Sequence, residues 1–369
     1  MVIVYVRPRS PHVSFRRPPA LHRLRRPCLR RCGMTVMLVE LAFMLIVILV
    51  AAELFTNALE HLGERLKISE GVTGSLFAAV GTALPETMVP LLALIGGTSN
   101  QAVNEEIGVG AILGAPLMLA TLTTFLMSVA VIGSRGLRGT IAPERTGFVR
   151  DLNYFLAAFV LAAGAMFVPH HNSAIRALLA AAMVGIYVLY VFMTFRASSR
   201  LVDAGHGTEA PHAMFLSRIG MPTNLATIAL QLLLGVALLV GGAKGFIHGV
   251  ERVSQLIGVS ALLLSLIIVP IATELPEKIN SVLWIRRRKD TLAFGNITGA
   301  MVFQGTLLPA IGIMLTPWEP RPEVLTGVII TIAAALWLRI HARTHGLAIW
   351  ALLANGAGYA GYLFVTLAR

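Results

Sequence analysis

The chain has 369 residues, of which 56% are hydrophobic and only 13% are charged, and its formal net charge is +12. A soluble domain has about a quarter of its residues charged, so this composition excludes an ordinary soluble protein. Period-two alternation of apolar and polar residues is absent, which excludes a membrane β-barrel. The chain is therefore predicted to be an all-α polytopic membrane protein.

Apolar stretches long enough to cross a bilayer of about 30 Å as helices recur along the whole chain. In chain order, the predicted spans are residues 35–57, 70–95, 107–132, 152–168, 174–196, 223–243, 260–285, 292–316, 324–340 and 347–367. We expect about ten transmembrane helices joined by short loops.

Positive charge is concentrated ahead of the first span and in alternate loops. Residues 1–33 contain nine arginines and no acidic residue, and both cysteines, Cys28 and Cys32. Two thiols without partner ligands do not make a zinc site. This distribution along a membrane protein argues against a nucleic-acid partner.

Lysines and arginines beyond residue 34 number fifteen in one set of alternate loops and five in the other. The positive-inside rule places the richer set in the cytoplasm and Met34 outside. The arginines of residues 1–33 would favour the opposite orientation, so we expect this segment to be an upstream-start artefact or a removed leader. The alternative is a basic tail on the membrane surface.

The two halves of the chain resemble each other. Residues 55–86 align without gaps with residues 246–277, and both stretches end in Thr-x-Leu-Pro-Glu. Further on, GAILGA at residues 110–115 matches GNITGA at residues 295–300. Each copy contains five predicted spans, and an odd number makes the copies enter the membrane from opposite sides. Inverted repeats of this kind are typical of secondary transporters.

These repeats divide the chain into a first five-helix repeat at residues 34–196, a cytoplasmic linker at 197–222 and a second five-helix repeat at 223–369. Within each repeat, a proline and a glutamate interrupt an apolar span. A proline leaves the carbonyl four residues earlier without its N–H partner, and lipid cannot satisfy that carbonyl. A bound cation can, and the adjacent glutamate and nearby threonine would supply further oxygen ligands. An all-oxygen site of this kind suits Ca²⁺, with Na⁺ as a competitor.

The paired motifs GTALPE with GAILGA and ATELPE with GNITGA resemble the two α-repeats of the sodium/calcium exchanger membrane-region family, part of the cation/Ca²⁺ antiporter superfamily. The family pattern is Gly-Thr-Ser-Leu-Pro-Glu followed by Gly-Asn…Gly-Ser-Asn. The resemblance covers residues 34–369 and implies a divergent prokaryotic-type member that exchanges Ca²⁺ for Na⁺ or H⁺. It implies Glu86 and Glu277 as metal ligands, with Thr82 and Thr273 as the motif threonines.

The candidate cation-binding residues are thus Glu86, Glu277, Thr82, Thr273, Gly81, Ala272, Asn296 and Glu274, with Lys278 and Gln304 as supporting residues. Several oxygen ligands of the family pattern are missing. The positions that carry other residues are Ala83, Glu274, Ala111, Ala115, Pro116, Ala300 and Met301. Gln304 is a candidate replacement for a lost amide. These departures leave the coupling ion open.

Glu274 stands four residues before Lys278, which is contact distance on a helix. We expect the two to form a structural pair, which leaves Glu86 and Glu277 as the uncompensated acids. The net charge of −2 would then neutralise one divalent cation. In the alternative, Glu274 carries the proton of a Ca²⁺/H⁺ exchange.

The chain is therefore predicted to be a secondary active antiporter that exchanges Ca²⁺ against Na⁺ by alternating access at a midplane carboxylate site. Exchange of Ca²⁺ or another divalent cation for H⁺ is the alternative. A membrane enzyme with Glu86 and Glu277 as an acid–base pair is less favoured because no nucleophile–base constellation accompanies them. A passive channel is less favoured because paired broken helices with glutamates favour occlusion over conduction. The expected partners are inorganic cations and the lipid bilayer, with no cofactor, and the expected location is a prokaryotic inner membrane. The oligomeric state is not predicted.

Overall fold

The computed structural model describes the backbone of residues 25–65, 78–202, 213–342 and 346–368. Within these ranges, the side chains of residues 25–33, 63–64, 78–82, 195–202, 272, 276 and 277 lie outside the description. The described chain is almost entirely helical, as the composition predicts.

The helices follow in chain order, with one two-residue strand in each repeat. They are α1 (Arg25–Arg65), α2 (Ala78–Gly96), α3 (Gln101–Met118), α4 (Thr124–Arg135), β1 (Thr140–Ile141), α5 (Arg145–Ala165), α6 (Ser173–Val202), α7 (Phe215–Arg218), α8 (Leu225–Ile257), α9 (Ala261–Thr273), α10 (Leu275–Arg286), α11 (Asp290–Leu315), α12 (Pro322–His341), β2 (Leu347–Ala348) and α13 (Ile349–Leu367). A π-helical turn at Leu119–Thr123 joins α3 to α4.

The ten predicted spans correspond to ten helical rods in the described ranges, with α3–α4 and α9–α10 each forming one rod. Seven of these rods are long and apolar enough to cross a membrane by themselves. The remaining rods are α2, the α9–α10 pair and α13.

Two boundaries differ from those predicted. α1 begins at Arg25, so the predicted boundary at residue 34 is not a boundary in secondary structure. α6 continues to Val202 and α7 lies in the last part of the predicted linker, whereas residues 203–212 lie outside the described residues. Whether residues 1–33 remain in the mature chain stays a prediction.

The two repeats pack together through contacts between their corresponding helices. α1 lies along α8, so the first helix of one repeat contacts the first helix of the other. α11 packs against α5 and α6 of the first repeat, while the α3–α4 rod packs against α12 and α13 of the second. The third rod of each repeat thus contacts the last two helices of the other repeat. This reciprocal packing is what a pseudo-twofold relation between inverted repeats requires.

One end of the bundle, which we call the basic end, is tied together by polar contacts. The Arg135 guanidinium binds both carboxylate oxygens of Asp290 at 2.7 Å and donates to the Ile285 carbonyl at 2.8 Å. These contacts join the end of α4 to the end of α10 and the start of α11. Beside them, β1 and β2 pair antiparallel, which joins the loop after α4 to the start of α13.

The opposite end of the bundle carries two ion pairs between repeats. Glu40 of α1 pairs with Arg252 of α8 at 3.1 Å, and Glu106 of α3 pairs with Arg321 before α12 at 2.7 Å. Because both pairs are partly exposed, each contributes at most about 1 kcal/mol. They mark which helix ends share this side of the bundle.

Candidate cation site

The second-repeat span is interrupted at Glu274. α9 ends at Thr273 and α10 begins at Leu275, and Glu274 between them has φ −92° and ψ 8°. Pro276 is the second residue of α10, where the N–H that proline lacks would have no helical acceptor. The break expected from Pro276 is therefore present, and it precedes the proline because a proline fits the first turn of a new helix.

Lys278 reaches back from α10 into this break. Its Nζ lies 3.1 Å from Oε2 of Glu274, so the predicted contact between the two residues is confirmed. The same ammonium donates to the Pro270 carbonyl at 2.8 Å and contacts Sδ of Met118 at 2.9 Å. The Pro270 carbonyl thus receives the ammonium in addition to the backbone N–H of Glu274, which lies 3.2 Å from it. The Ala272 carbonyl, to which the sequence pointed, stays a prediction.

Two further polar side chains, from helices distant in the chain, lie near the Glu274 carboxylate. They are Gln304 of α11 and Tyr359 of α13, and both are buried. Among the described residues, the Gln304 amide oxygen and the Tyr359 hydroxyl have no hydrogen-bond partner. Buried polar atoms are normally hydrogen-bonded, so atoms of this kind indicate a place for water or an ion. Gln304 therefore lies near Glu274, and its role as a replacement for a lost amide ligand stays a prediction.

The first repeat has a different local structure. α2 runs through Pro85 and Pro90 as one α-helix, so no interruption matching that at Glu274 occurs within Ala78–Gly96. Thr87 Oγ1 donates to the Ala83 carbonyl at 2.7 Å within this helix. The expectation of two matching breaks is wrong for this stretch. Glu86 is nevertheless only 5% exposed, in a helix that packs against α1, α3, α8, α9 and α11.

Glycines of the GAILGA motif bring α9 close to α3. An added Cβ at Gly110 would lie 2.7 Å from the Leu262 carbonyl oxygen, and one at Gly114 would lie 2.3 Å from the Leu266 carbonyl oxygen. Side chains at these two positions would therefore force the helices apart. The contact fixes the position of α9, whose last turn leads into Glu274.

The remaining predicted site residues fall into two groups, those whose hydrogen bonds are described and those whose side chains lie outside the described residues. Thr273 is buried, and its hydroxyl donates to the Val269 carbonyl at 3.1 Å in its own helix. Asn296 of α11 donates to Ser281 Oγ of α10 at 3.1 Å. The site positions whose side chains lie outside the described residues are Glu277, Thr82, Gly81 and Ala272. Their backbones belong to α10, α2 and α9, and their part in the site stays a prediction.

No group of three or more His, Cys, Asp or Glu side chains arranged to hold a metal ion occurs among the described residues. The predicted carboxylate pair includes Glu277, which lies outside that set. The predicted site residues whose side chains are described are therefore Glu86, Thr273, Glu274, Lys278, Asn296 and Gln304.

Four features of the site were not found from the sequence. Met118 contacts Lys278, and the π-helical turn starts immediately after it. Asn355 of α13 donates to the Ala120 carbonyl of that turn at 2.9 Å, and Tyr359 lies one helical turn further on. Single π-helical turns inside helices occur frequently at functional sites. Pro116 shortly before a threonine-containing stretch was the available signal for the irregular turn.

The family model described as "Sodium/calcium exchanger protein" matches this chain over residues 36–196 and 227–367. The chain belongs to the sodium/calcium exchanger family. The two matched segments correspond to the two repeats found from the sequence, and the predicted family and membrane character are confirmed. Its relatives are transporters, so the prediction that the protein is not an enzyme is confirmed as well.

Individual relatives agree with this assignment. The chain is 28% identical over 273 residues to "Putative antiporter CaxA" of Alkalimonas amylolytica, which covers 74% of this chain and 79% of that protein. It is 21% identical over 302 residues to "Inner membrane protein YrbG" of Escherichia coli K12, which covers 80% of this chain and 87% of that protein.

Among solved structures, the H⁺/Ca²⁺ exchanger CAX superposes on the chain with a TM-score of 0.62 at 16% identity. The superposition covers 93% of this chain and 90% of the exchanger. At this level of identity the similarity concerns the fold alone. It confirms the predicted all-helical membrane architecture, and the chain is a member of a family of cation antiporters.

Proposed function

We propose that the protein is a secondary active antiporter that carries Ca²⁺ across the membrane in exchange for H⁺. The observation that carries the proposal is the burial of an acidic side chain in or beside the repeated Leu-Pro-Glu motif of each half. Glu86 is buried within α2, and Glu274 is buried at the break between α9 and α10. Charged groups inside a membrane protein are costly and are retained chiefly where they bind ions or pair.

Carboxylates are the ligands that favour Ca²⁺ among transported cations. Glu86 and Glu277 occupy the same position of the repeated motif and carry the two charges that a divalent cation requires. Glu274 does not add to this charge, because Lys278 lies beside it. Glu86 and Glu277 are therefore the proposed Ca²⁺ ligands.

The choice of H⁺ over Na⁺ follows from the neutral ligands. A Na⁺ ion needs several uncharged oxygen atoms, and at family motif positions the chain has Ala83, Ala111, Ala115 and Met301. The hydroxyl of Thr273 already donates to its own helix. A proton needs only one carboxylate oxygen, and acids that share a site can hold one when the divalent cation leaves. Na⁺, which the sequence analysis favoured, is the second candidate because it is in the family's name.

Alternating access in this fold would involve α1 and α8, the equivalent first helices of the repeats, which lie along each other. We propose that they slide together against the remaining helices. We also propose that the basic end of the bundle faces the cytoplasm of a prokaryote, because it carries most of the lysines and arginines outside residues 1–33.

A flux assay in proteoliposomes tests the proposal. Uptake of ⁴⁵Ca²⁺ is measured with an imposed pH gradient and, separately, with an imposed Na⁺ gradient. We expect uptake to follow the pH gradient and to be lost in Glu86→Gln and Glu277→Gln. Glu53→Gln is the matched control, since Glu53 is an exposed acid of α1.

Uptake that follows only the Na⁺ gradient would replace H⁺ by Na⁺ as the counter-ion. Uptake that requires neither gradient would indicate a channel. Full activity of Glu86→Gln would refute the carboxylate site.

A further inference from the structure

The turn after α10 has an arginine where its backbone geometry favours glycine. The helix ends in a Schellman motif, in which the Arg288 N–H donates to the Ile285 carbonyl at 3.2 Å and the Lys289 N–H donates to the Trp284 carbonyl at 2.9 Å. The residue that closes this motif adopts a left-handed conformation and is usually glycine. Arg288 has the required φ of 61°. Its side chain is therefore kept at a conformational cost.

The other left-handed positions show what such a side chain can be kept for. Among the described residues, five of the seven with positive φ are glycines, and the second exception is Trp318. Trp318 is buried, and its indole N–H donates to the Ala162 carbonyl at 2.9 Å. Arg288 is exposed, and its guanidinium makes no hydrogen bond or ion pair within the described ranges. A bound ligand is the kind of partner that would offset its cost.

Arg288 lines a cavity of about 340 Å³ at the basic end of the bundle. The other lining residues are Ser134, Arg135, Gly139, Thr140 and Asp290. The Asp290 carboxylate would repel an anion, but Arg135 binds both of its oxygens at 2.7 Å. Arg288 thus supplies the free charge of the wall. A guanidinium binds phosphate through paired hydrogen bonds, and the Thr140 hydroxyl can add a third donor.

The surroundings of the cavity are basic and partly apolar. Four further cations nearby in the chain are exposed and form no ion pair with any described residue; they are Arg138, Arg286, Arg287 and Lys289. Leu137 and Leu292, each two residues from a lining residue, are 58% and 47% exposed at the ends of membrane-spanning rods. A phosphate carried by acyl chains would meet both the cations and the apolar side chains, whereas a free phosphate would meet only the cations.

We propose that this cavity binds the headgroup phosphate of an anionic phospholipid, with Arg288 as its principal ligand. The site goes beyond the antiport function and does not depend on which ions are exchanged. Because its walls come from α4, the loop that follows α4, the turn after α10 and the start of α11, a bound lipid holds these elements together. It therefore stabilises the folded protein by mass action.

The thermal unfolding midpoint of the full chain in neutral detergent micelles tests the site. Phosphatidylglycerol is added in increasing amounts at 0.5 M NaCl, where the Debye length is about 4 Å and diffuse surface attraction is screened. Phosphatidylcholine with the same acyl chains is the control without net charge, and glycerol 3-phosphate is the control without acyl chains. We expect a saturable rise of the midpoint with phosphatidylglycerol and no rise with either control.

Arg288→Gly removes the guanidinium and relieves the turn. Without lipid its midpoint should rise by about 1–2 °C. Half of the lipid-induced rise should need at least about tenfold more phosphatidylglycerol, because a charged hydrogen-bonded contact is lost. If this variant does not fold, Arg288→Asn tolerates the same backbone conformation and should show the same tenfold change.

Arg287→Ala is the matched control. It removes a neighbouring exposed arginine that has an ordinary φ of −85° and does not line the cavity. In 0.5 M salt its phosphatidylglycerol requirement should change less than about twofold. A purely structural Arg288 would instead give a lower midpoint without lipid and an unchanged lipid requirement in Arg288→Gly.

An unchanged phosphatidylglycerol requirement in Arg288→Gly or Arg288→Asn overturns the proposal. An equal increase in Arg287→Ala overturns it as well, since the lipid would then respond to diffuse charge rather than to the cavity. A rise with glycerol 3-phosphate that equals the rise with phosphatidylglycerol overturns the lipid as the occupant. Absence of any rise with phosphatidylglycerol in the unsubstituted protein overturns the site altogether.

Discussion

Gly110→Ala tests the close contact between α3 and α9, which positions the break at Glu274. The added Cβ would lie 1.9 Å from Ser265 Oγ and 2.7 Å from the Leu262 carbonyl oxygen. The serine can rotate away at the loss of its hydrogen bonds, but the carbonyl belongs to the backbone of α9. The helix must therefore move by several tenths of an ångström.

Overpacking of this kind costs about 1–3 kcal/mol. Replacing glycine by alanine inside a helix returns about 1 kcal/mol, so we expect a net loss of up to about 2 kcal/mol. The assay is the apparent unfolding midpoint of the purified protein in detergent, followed by Ca²⁺ uptake in proteoliposomes. Both values should fall, because a shift of α9 also moves Glu274.

Gly185→Ala is the matched control. Gly185 lies on an exposed face of α6, and an added Cβ would meet no other atom within 4 Å among the described residues. It receives the same gain in helix propensity without the overlap, so its unfolding midpoint should rise slightly. An equal rise for Gly110→Ala would refute the reasoning, since it would mean that α3 and α9 are not in close contact.

Three other substitutions test polar contacts outside the candidate site. Thr298→Val removes the 2.7 Å hydrogen bond to the buried Asp151 carboxylate and should destabilise the protein by about 1.5–3 kcal/mol in thermal unfolding, whereas Thr298→Ser should not. Asp290→Asn leaves Arg135 without its carboxylate at the basic end and should lower the unfolding midpoint; an unchanged midpoint would contradict a role of this pair in holding α4 to α11. Backbone N–H donors at the start of α5 lower the pKa of Glu144 below its usual 4.5. Its stabilising effect is therefore present above pH 4.5 and is lost as the pH falls through the lowered value. Glu144→Gln should cost about 0.5 kcal/mol at neutral pH, and the difference should vanish in acid; a difference that grows in acid would contradict this sign.

Span positions and the family could be predicted from the sequence because both depend on local patterns. Hydrophobic stretches of bilayer length show where the helical rods lie along the chain. The repeated Leu-Pro-Glu motif shows which residues of the two halves correspond. The contact of Glu274 with Lys278 could also be predicted, since residues four apart meet on one helical face. In the structure this contact bridges the break, because Glu274 directly precedes α10.

The rest of the site depends on contacts between distant parts of the chain. Met118 and Tyr359 approach the break only because the α3–α4 rod packs against α9 and α10 while α13 packs against α4 and the π-helical turn. No local pattern reports such packing. The Lys278 ammonium donates to the Pro270 carbonyl because the helix ends before Pro276. This contact could not be predicted, since the position of a helix end depends on its tertiary surroundings.

The difference between the two repeats was not predictable from the aligned motifs. Both contain Thr-x-Leu-Pro-Glu, yet α2 continues through Pro85 while the second span is interrupted at Glu274. A proline is tolerated inside a membrane helix when neighbouring groups satisfy the freed carbonyl. In the second repeat, the lysine four residues after the break donates to the backbone carbonyl of Pro270.

The position of the bound ion tests the central proposal most directly. Crystals or cryo-EM samples of the protein are prepared with Ca²⁺ and, for anomalous scattering, with Sr²⁺ in its place. The proposed site predicts one ion with carboxylate oxygens of both Glu86 and Glu277 within about 2.3–2.6 Å, the usual Ca²⁺–oxygen distance. An ion bound elsewhere, or a well-ordered Glu86 turned away from Glu277 in the ion-loaded protein, would contradict it.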